Sequence, residues 1–361
     1  MARVGHSGRG GRVRVLLRRR TVMALVSLMM GVPLALAGCA GASVTPSANP
    51  SPSRPLPVLS RPAILAPYTI FVTDLATGDL DELGVATFHV SQSIHGLGLS
   101  ADGHTLYVSD ISGDRLVAYS LANGKLGAPH AVRVGDQPVH MVSTLDGRTI
   151  FVTDFQAQSV SVVDATRWTH VKDITVPANP HAIVLSPDGR WAYVACYGAA
   201  AIAVIDTQSA TLAATIPMPQ LSQPYGIAIS PDGRYIYASD NLRGRLLVVS
   251  TAAHTLVGRV TIGVKPALIA RSPDGRTLYV TNGASHTVSV LDIGADPARP
   301  TVRATVVVSG YPHGLAVTPD GRYVVVADTF GHDISVIDAQ TNTLATTIQA
   351  ENEPNDVLIP G

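Results

Sequence analysis

The stretch Ser272 to Ile293, SPDGRTLYVTNGASHTVSVLDI, is echoed along almost everything that follows residue 67. A chain made of copies of one unit buries its apolar faces by packing copy against copy, which narrows its folds to repeat architectures. In this copy Asp274-Gly275 is a tight-turn dipeptide between two runs of alternating apolar and polar residues, Leu268 to Ser272 and Thr277 to Asn282. That pattern predicts a β-hairpin. A further alternating run, Thr287 to Ile293, and an apolar run, Val302 to Val308, precede the next copy, so the unit is four short strands.

The Asp-Gly turn recurs at Asp102, Asp146, Asp188, Asp232, Asp274 and Asp320, in steps of 44, 42, 44, 42 and 46 residues. A four-stranded unit of that period is a propeller blade. The end of the third strand recurs at Asp74, Ser120, Asp164, Asp206, Ser250, Asp292 and Asp338, which makes seven copies. The expected fold is therefore all-β, a seven-bladed β-propeller of four-stranded antiparallel blades. Glu353 to Ile359 matches Gln223 to Ile229, so the final residues read as the first strand of a blade whose later strands begin near Tyr68. Closure by strands from both termini removes the free edges that template aggregation. Spacing puts Asp74, 21 residues before His95, at the end of a third strand, and the second strand of that blade is then expected from Arg61 to Ala66.

Leu278-Tyr279-Val280-Thr281-Asn282 contains the tetrad after which the YVTN repeat family is named, with variants at Tyr107, Phe151, Tyr193, Tyr237 and Val325. Together with the preceding [ST]-P-D-G-R and the following V-x-V-[IL]-D, about four fifths of the chain resembles that family of WD40-like propellers, without the Trp-Asp and Gly-His marks of WD40 repeats. The resemblance implies a fold; it implies no one activity, because a fold hosts many.

Residues 1 to 20 hold seven arginines and no acid, and Thr21 to Ala37 is a 17-residue apolar run, the pattern of an export signal over 1–38. Leu36-Ala37-Gly38-Cys39 resembles the lipobox of bacterial lipoproteins, which implies that Cys39 is acylated. Residues 39–66, rich in Pro, Ser and Ala, read as a tether, and 67–361 as the propeller. The expected address is the outer side of the cell membrane, reached by the Sec route or, through Arg18-Arg19-Arg20, the twin-arginine route. Without the seven signal arginines, the 26 basic residues fall to 19 against 26 acidic. That balance and an aromatic content of 5% disfavour a nucleic-acid surface. Beyond Cys39 the sole cysteine is Cys196, so stability rests on strand pairing and apolar packing, and a monomer is expected.

In a propeller the first strand of each blade lines the central channel. Counting back seven residues from each Asp-Gly aspartate gives the channel-mouth position: His95, Val139, His181, Tyr225, Ala267 and His313, with Asn355 filling it in the last strand. His95, His181 and His313 fall in blades two, four and seven, spread almost evenly about the axis. Three convergent imidazoles with an open position suit zinc or copper. The alternative is that Pro-His-Gly belongs to the repeat itself, each imidazole bonded to a neighbouring carbonyl, with no cofactor. His140 lies one residue beyond the position, where alternation turns it away unless the strand bulges.

The second-strand ends supply another polar ring on that face: Asp110, Asp154, Cys196, Asp240, Asn282 and Asp328. Short polar side chains there cap the following loop, or alternatively orient the histidines. No nucleophile elbow, phosphate-cradling loop or EF-hand sequence is present. The leading expectation is a non-enzymatic, membrane-tethered binding or scaffold module for a protein, peptide or cell-envelope ligand. Its rival is an extracytoplasmic enzyme, either a copper- or zinc-dependent oxidoreductase or a lactonase or lyase.

Overall fold

The computed structural model describes residues 58–361 apart from 123 and 351, so the export signal, Cys39 and most of the tether lie outside the described residues. Seven sheets of four antiparallel strands follow one another along the chain. Blade two runs from Ile94 to Arg133, blade three from Pro138 to Thr175, blade four from Pro180 to Pro217, blade five from Pro224 to Thr261, blade six from Pro266 to Val307 and blade seven from Pro312 to Gln349. Blade one is composite: Pro354–Leu358 pairs with Phe71–Asp74, which pairs with Asp79–Glu82, which pairs with Ala86–His89. First strands pack on first strands round the ring, and Pro354–Leu358 touches those of blades two and seven. The ring is closed as the spacing predicts.

Phe71–Asp74 is the second strand of blade one, paired on one side with the C-terminal strand. The expectation that Asp74 ends a third strand is thus corrected. The outer strands of this blade shrink to four residues each, so the repeat period miscounts there by one strand. Arg61 to Ala66 forms no strand; Ala63–Leu65 is a single 3-10 turn that buries Leu65 against Ile70, Val72 and Leu83.

Each Ser/Thr-Pro-Asp-Gly turn is closed by its own side chains. In blade six Ser272 Oγ donates to Asp274 Oδ1 at 2.5 Å, Arg276 N donates to the same oxygen at 3.0 Å, and Thr277 N to Ser272 Oγ at 3.0 Å. Gly275 adopts φ +73°, a conformation that costs a residue with a Cβ.

The next-to-last residue of the second strand fastens neighbouring blades. Thr281, the threonine of the YVTN tetrad, donates through Oγ1 to the His313 carbonyl at 2.8 Å; Thr73, Ser109, Thr153 and Ser239 reach the carbonyls of His95, Val139, His181 and Ala267 at 2.6–2.7 Å. Ala195 and Ala327 stand where blades four and seven would carry that hydroxyl. Buried Val, Ile and Leu side chains fill the space between sheets, each contributing about 1.5–3 kcal/mol.

Candidate metal centre

Every first strand of blades two to seven begins with the same irregularity. Pro138 pairs with Asp154 and Met141 with Val152, so three steps on one strand oppose two on the other. The same shift separates Ile94 from Leu97, Pro180 from Ile183 and Pro312 from Leu315. This bulge carries the channel-mouth residue and its successor out of the ladder together. Alternation therefore fails there, and His140 joins the cluster instead of turning from it: its ring lies 4.9 Å from that of His181 and 5.1 Å from that of His95.

The rings of His95 and His313 are 5.4 Å apart and those of His95 and His181 5.5 Å, crossing nearly at right angles. Tyr225 stacks on His181 at 3.7 Å, and its hydroxyl lies 2.9 Å from His313 Nε2. Val139, Ala267 and Asn355 complete the buried mouth ring.

His313 is held by its neighbours. Its Nδ1 lies 3.0 Å from the Asn355 carbonyl, so Nδ1 carries the proton and Nε2 is the acceptor. The carbonyl is available because Ala327 brings no hydroxyl to it. By contrast His95 Nδ1, His140 Nε2 and both ring nitrogens of His181 are buried without a well-formed hydrogen bond. Each such atom costs about 1–3 kcal/mol if left unmatched. His313 meets the expectation of an imidazole bonded to a backbone carbonyl in full, while His95 and His181 make only poorly aligned contacts with the backbone of Val139 and Tyr225.

Burial holds all four histidines uncharged: His140 is lowered to about 3 and His313 to about 4, while burial and neighbouring imidazoles take His95 and His181 well below the usual range. Neutral imidazole is the form that binds a metal. One ring nitrogen from each of His95, His181 and His313 lies within 4.8 Å of the others. A tetrahedral ion about 2.0–2.1 Å from each nitrogen would draw them to about 3.4 Å apart, a contraction that side-chain torsions supply. The cluster fits a borderline-soft metal such as zinc or copper.

The outer ring serves structure. Asp110 accepts from Ser91 Oγ at 2.6 Å, Gly113 N at 2.8 Å and Arg115 Nε at 3.0 Å. Asp240 accepts from Ser222 Oγ and Gln223 N, and Asn282 binds Gly263 N, Thr287 and Ser289. Asp154 accepts from Ser159 and Ser161, and burial raises it to about 7. Cys196 packs in an apolar cluster, its thiol pushed up by burial to about 12, so no thiolate faces His181. Among the described residues none of these carboxylates is bonded to a cluster histidine; Asp328 is the one with neither oxygen in a well-formed hydrogen bond, its near neighbours being Ser335 and Asp333.

Asp356, absent from the sequence-derived set, is fully buried in the last strand at the bulge position of His140. It accepts from Leu97 N at 3.0 Å and Val357 N at 2.9 Å, and burial raises it to about 7. The alignment of Asn355-Asp356 with Tyr225-Gly226 pointed to it, once both bulge residues are counted.

The family described as "Lactonase, 7-bladed beta-propeller" matches residues 84–255 and 178–359. No curated protein matches this chain in sequence. The periplasmic gluconolactonase of Pseudomonas aeruginosa superposes with a TM-score of 0.69 at 21% identity, over 81% of this chain and 99% of that one. A candidate 6-phosphogluconolactonase of Bacteroides fragilis gives 0.71 at 18%, over 83% and 99%. Hydrazine synthase of Kuenenia stuttgartiensis gives 0.64 at 24%, over 74% and 91%. At these identities the three structures share the fold. The expectation of a non-enzymatic binding or scaffold module is overturned by the family match and by three buried, convergent, neutral metal donors, an arrangement that a docking surface does not require.

Proposed function

The chain belongs to the seven-bladed β-propeller lactonase family, and from that premise we propose that it is a metal-assisted hydrolase that opens a cyclic ester outside the cytoplasm. The observation that carries the reading is the cluster of uncharged, buried imidazoles at the channel mouth. His95, His181 and His313 would hold the ion, His313 through Nε2 because Nδ1 is committed to Asn355. A bound zinc ion supplies Lewis acidity toward an ester carbonyl and toward water.

The chain's own residues do the rest. Asn355 fixes the tautomer and the plane of His313, as an outer partner of a metal ligand does. Tyr225 fixes the plane of His181 by stacking. Burial drives the Tyr225 phenol well above its ordinary range, so it stays protonated; it donates to His313 Nε2, and with that nitrogen given to an ion it is free to donate to an oxygen that gains charge. His140 brings a further neutral nitrogen to the rim. In the net reaction a water oxygen adds to the acyl carbon, the ring C–O bond breaks, one water hydrogen goes to the ring oxygen, and a hydroxy carboxylate and one proton leave.

The export pattern and Leu36 to Cys39 support placing this chemistry on a monomer tethered through lipid on Cys39; a Cys39→Ser chain should then leave the membrane fraction. The catalytic test is acid release in a pH-stat from a panel of lactones, δ-gluconolactone first, comparing zinc-loaded and metal-stripped protein. Zinc-dependent turnover is expected. Turnover of no lactone would overturn the reading, and copper-dependent oxidation of a reductant in its place would assign the site to an oxidoreductase.

A further inference from the structure

The seven blades are seven versions of one local arrangement, so each serves as a control for the others. At the end of the second strand a polar side chain faces the first residue of the third strand across the ladder. In blade two the pair is Asp110 and Arg115, with Arg115 Nε 3.0 Å from the carboxylate. In blade three Asp154 faces Ser159, in blade four Cys196 faces Ala201, and in blade six Asn282 faces Thr287. A carboxylate in this place is thus met by a cation or by hydroxyls.

Blade seven breaks the pattern: Asp328 faces Asp333. Like charges directly opposite on one face of a sheet repel. Asp328 is fully buried and Asp333 nearly so. Both oxygens of Asp328, Oδ1 of Asp333 and Oγ of Ser335 are buried without a well-formed hydrogen bond. Ser335 belongs to the set. Its counterpart in blade three, Ser161, donates to Asp154 Oδ2 at 2.8 Å, and its counterpart in blade six, Ser289, bonds Asn282. Burial pushes the Asp328 carboxyl upward; Ser335 beside it offsets part of this, and the charge and side chain of Asp333 add to the rise.

A second carboxylate pair occurs in blade one, and it is satisfied. Asp74 accepts from Ala76 N and Thr77 N, and Asp79 lies 2.7 Å from His89 Nδ1. Among the described residues no lysine, arginine or histidine is paired with Asp328 or Asp333.

We propose that Asp328, Asp333 and Ser335 form a structural site for a hard divalent cation of the calcium class, which stands where blade two has the guanidinium of Arg115. Two carboxylates balance the charge of such an ion, and the donors are all oxygen. Calcium takes six to eight oxygens in irregular arrangements and completes its shell with water or carbonyls, whereas magnesium demands a near-ideal octahedron. The site is chemically separate from the imidazole cluster and stands whether or not the hydrolase reading does.

The test is isothermal titration of the chelator-treated full chain with calcium chloride, alongside thermal melts. The wild type should take up one calcium ion per chain and melt several degrees higher with it, and His181→Leu should do the same. Asp333→Arg, which copies blade two, should fold, melt near the calcium-loaded wild type and ignore calcium. Asp333→Thr, which copies blade six, should fold and bind calcium at least tenfold more weakly. The proposal is overturned by a wild type that binds no calcium, or by calcium binding that survives in both variants. It is equally overturned by a melting temperature that rises between pH 8 and pH 6 to the same extent with and without calcium, which marks a shared proton alone.

Discussion

Two polar rings face the same mouth of the channel, and they differ in how their hydrogen bonds close. Asp328 apart, the polar members of the outer ring, Asp110, Asp154, Asp240 and Asn282, are bonded to loop amides, hydroxyls or an arginine. In the inner ring, His95, His140 and His181 leave four buried ring nitrogens without a well-formed hydrogen bond, and His313 is the one held squarely by a carbonyl. Both rings are polar and recur with the repeat, so residue type does not separate them. Satisfaction does: a matched buried group is explained by the fold it holds, and an unmatched one asks for a ligand.

The comparison breaks if the two rings exchange behaviour under substitution. The largest effect should come from His181→Leu, which removes two unmatched nitrogens and one donor. Zinc bound per chain should fall from one to none by elemental analysis, with affinity down by at least about 100-fold. The metal-free melting temperature should change little, since no well-formed hydrogen bond is lost and leucine still packs against Tyr225.

Asp110→Ala should do the reverse. It strips partners from Ser91, Gly113 and the half-exposed Arg115, at a cost of about 3 kcal/mol in denaturant unfolding. Zinc stoichiometry should stay at one per chain. A loss of metal in this variant would mean that the outer ring orients the inner one.

The smallest effect, and the one that sharpens the comparison, lies at Asp154. Its folded-state value near 7 stands above the ordinary aspartate value of 3.8, so the folded protein binds the extra proton between those limits. Stability from this group is full below pH 3.8 and is lost as pH rises through 7. Asp154→Asn copies Asn282 of blade six, whose Nδ2 donates to the hydroxyls of Thr287 and Ser289, so the amide donates to Ser159 and Ser161 in place of accepting from them and removes that dependence. Above pH 7 the variant should be more stable by about 2 kcal/mol, the gap closing as pH falls toward 4 in a series of melts.

The blades and their closure were legible in the sequence because turn chemistry recurs at fixed intervals. Asp-Gly marks the far turn of the channel strand, so counting back from it placed six mouth residues, and the match of Glu353 to Ile359 with Gln223 to Ile229 placed Asn355 as the seventh. Counting failed where the interval contracted: the four-residue strands after Asp74 moved that residue one strand too far along. Alternation failed at the bulge, which turns His140 and Asp356 toward the centre against the strict rule of two. The scaffold expectation failed for another reason. Sequence displays which groups are polar, and only packing displays which of them were left without a partner.

The strand Pro354–Leu358 is the last of the ring to be synthesised, and it delivers the carbonyl that sets the tautomer of His313 as well as the carboxylate of Asp356. Until it slides in beside Phe71–Asp74, one metal donor has no fixed orientation. On the metal reading, capture of an ion would wait on closure of the ring, and a chain whose ends have not yet paired would hold no finished cage.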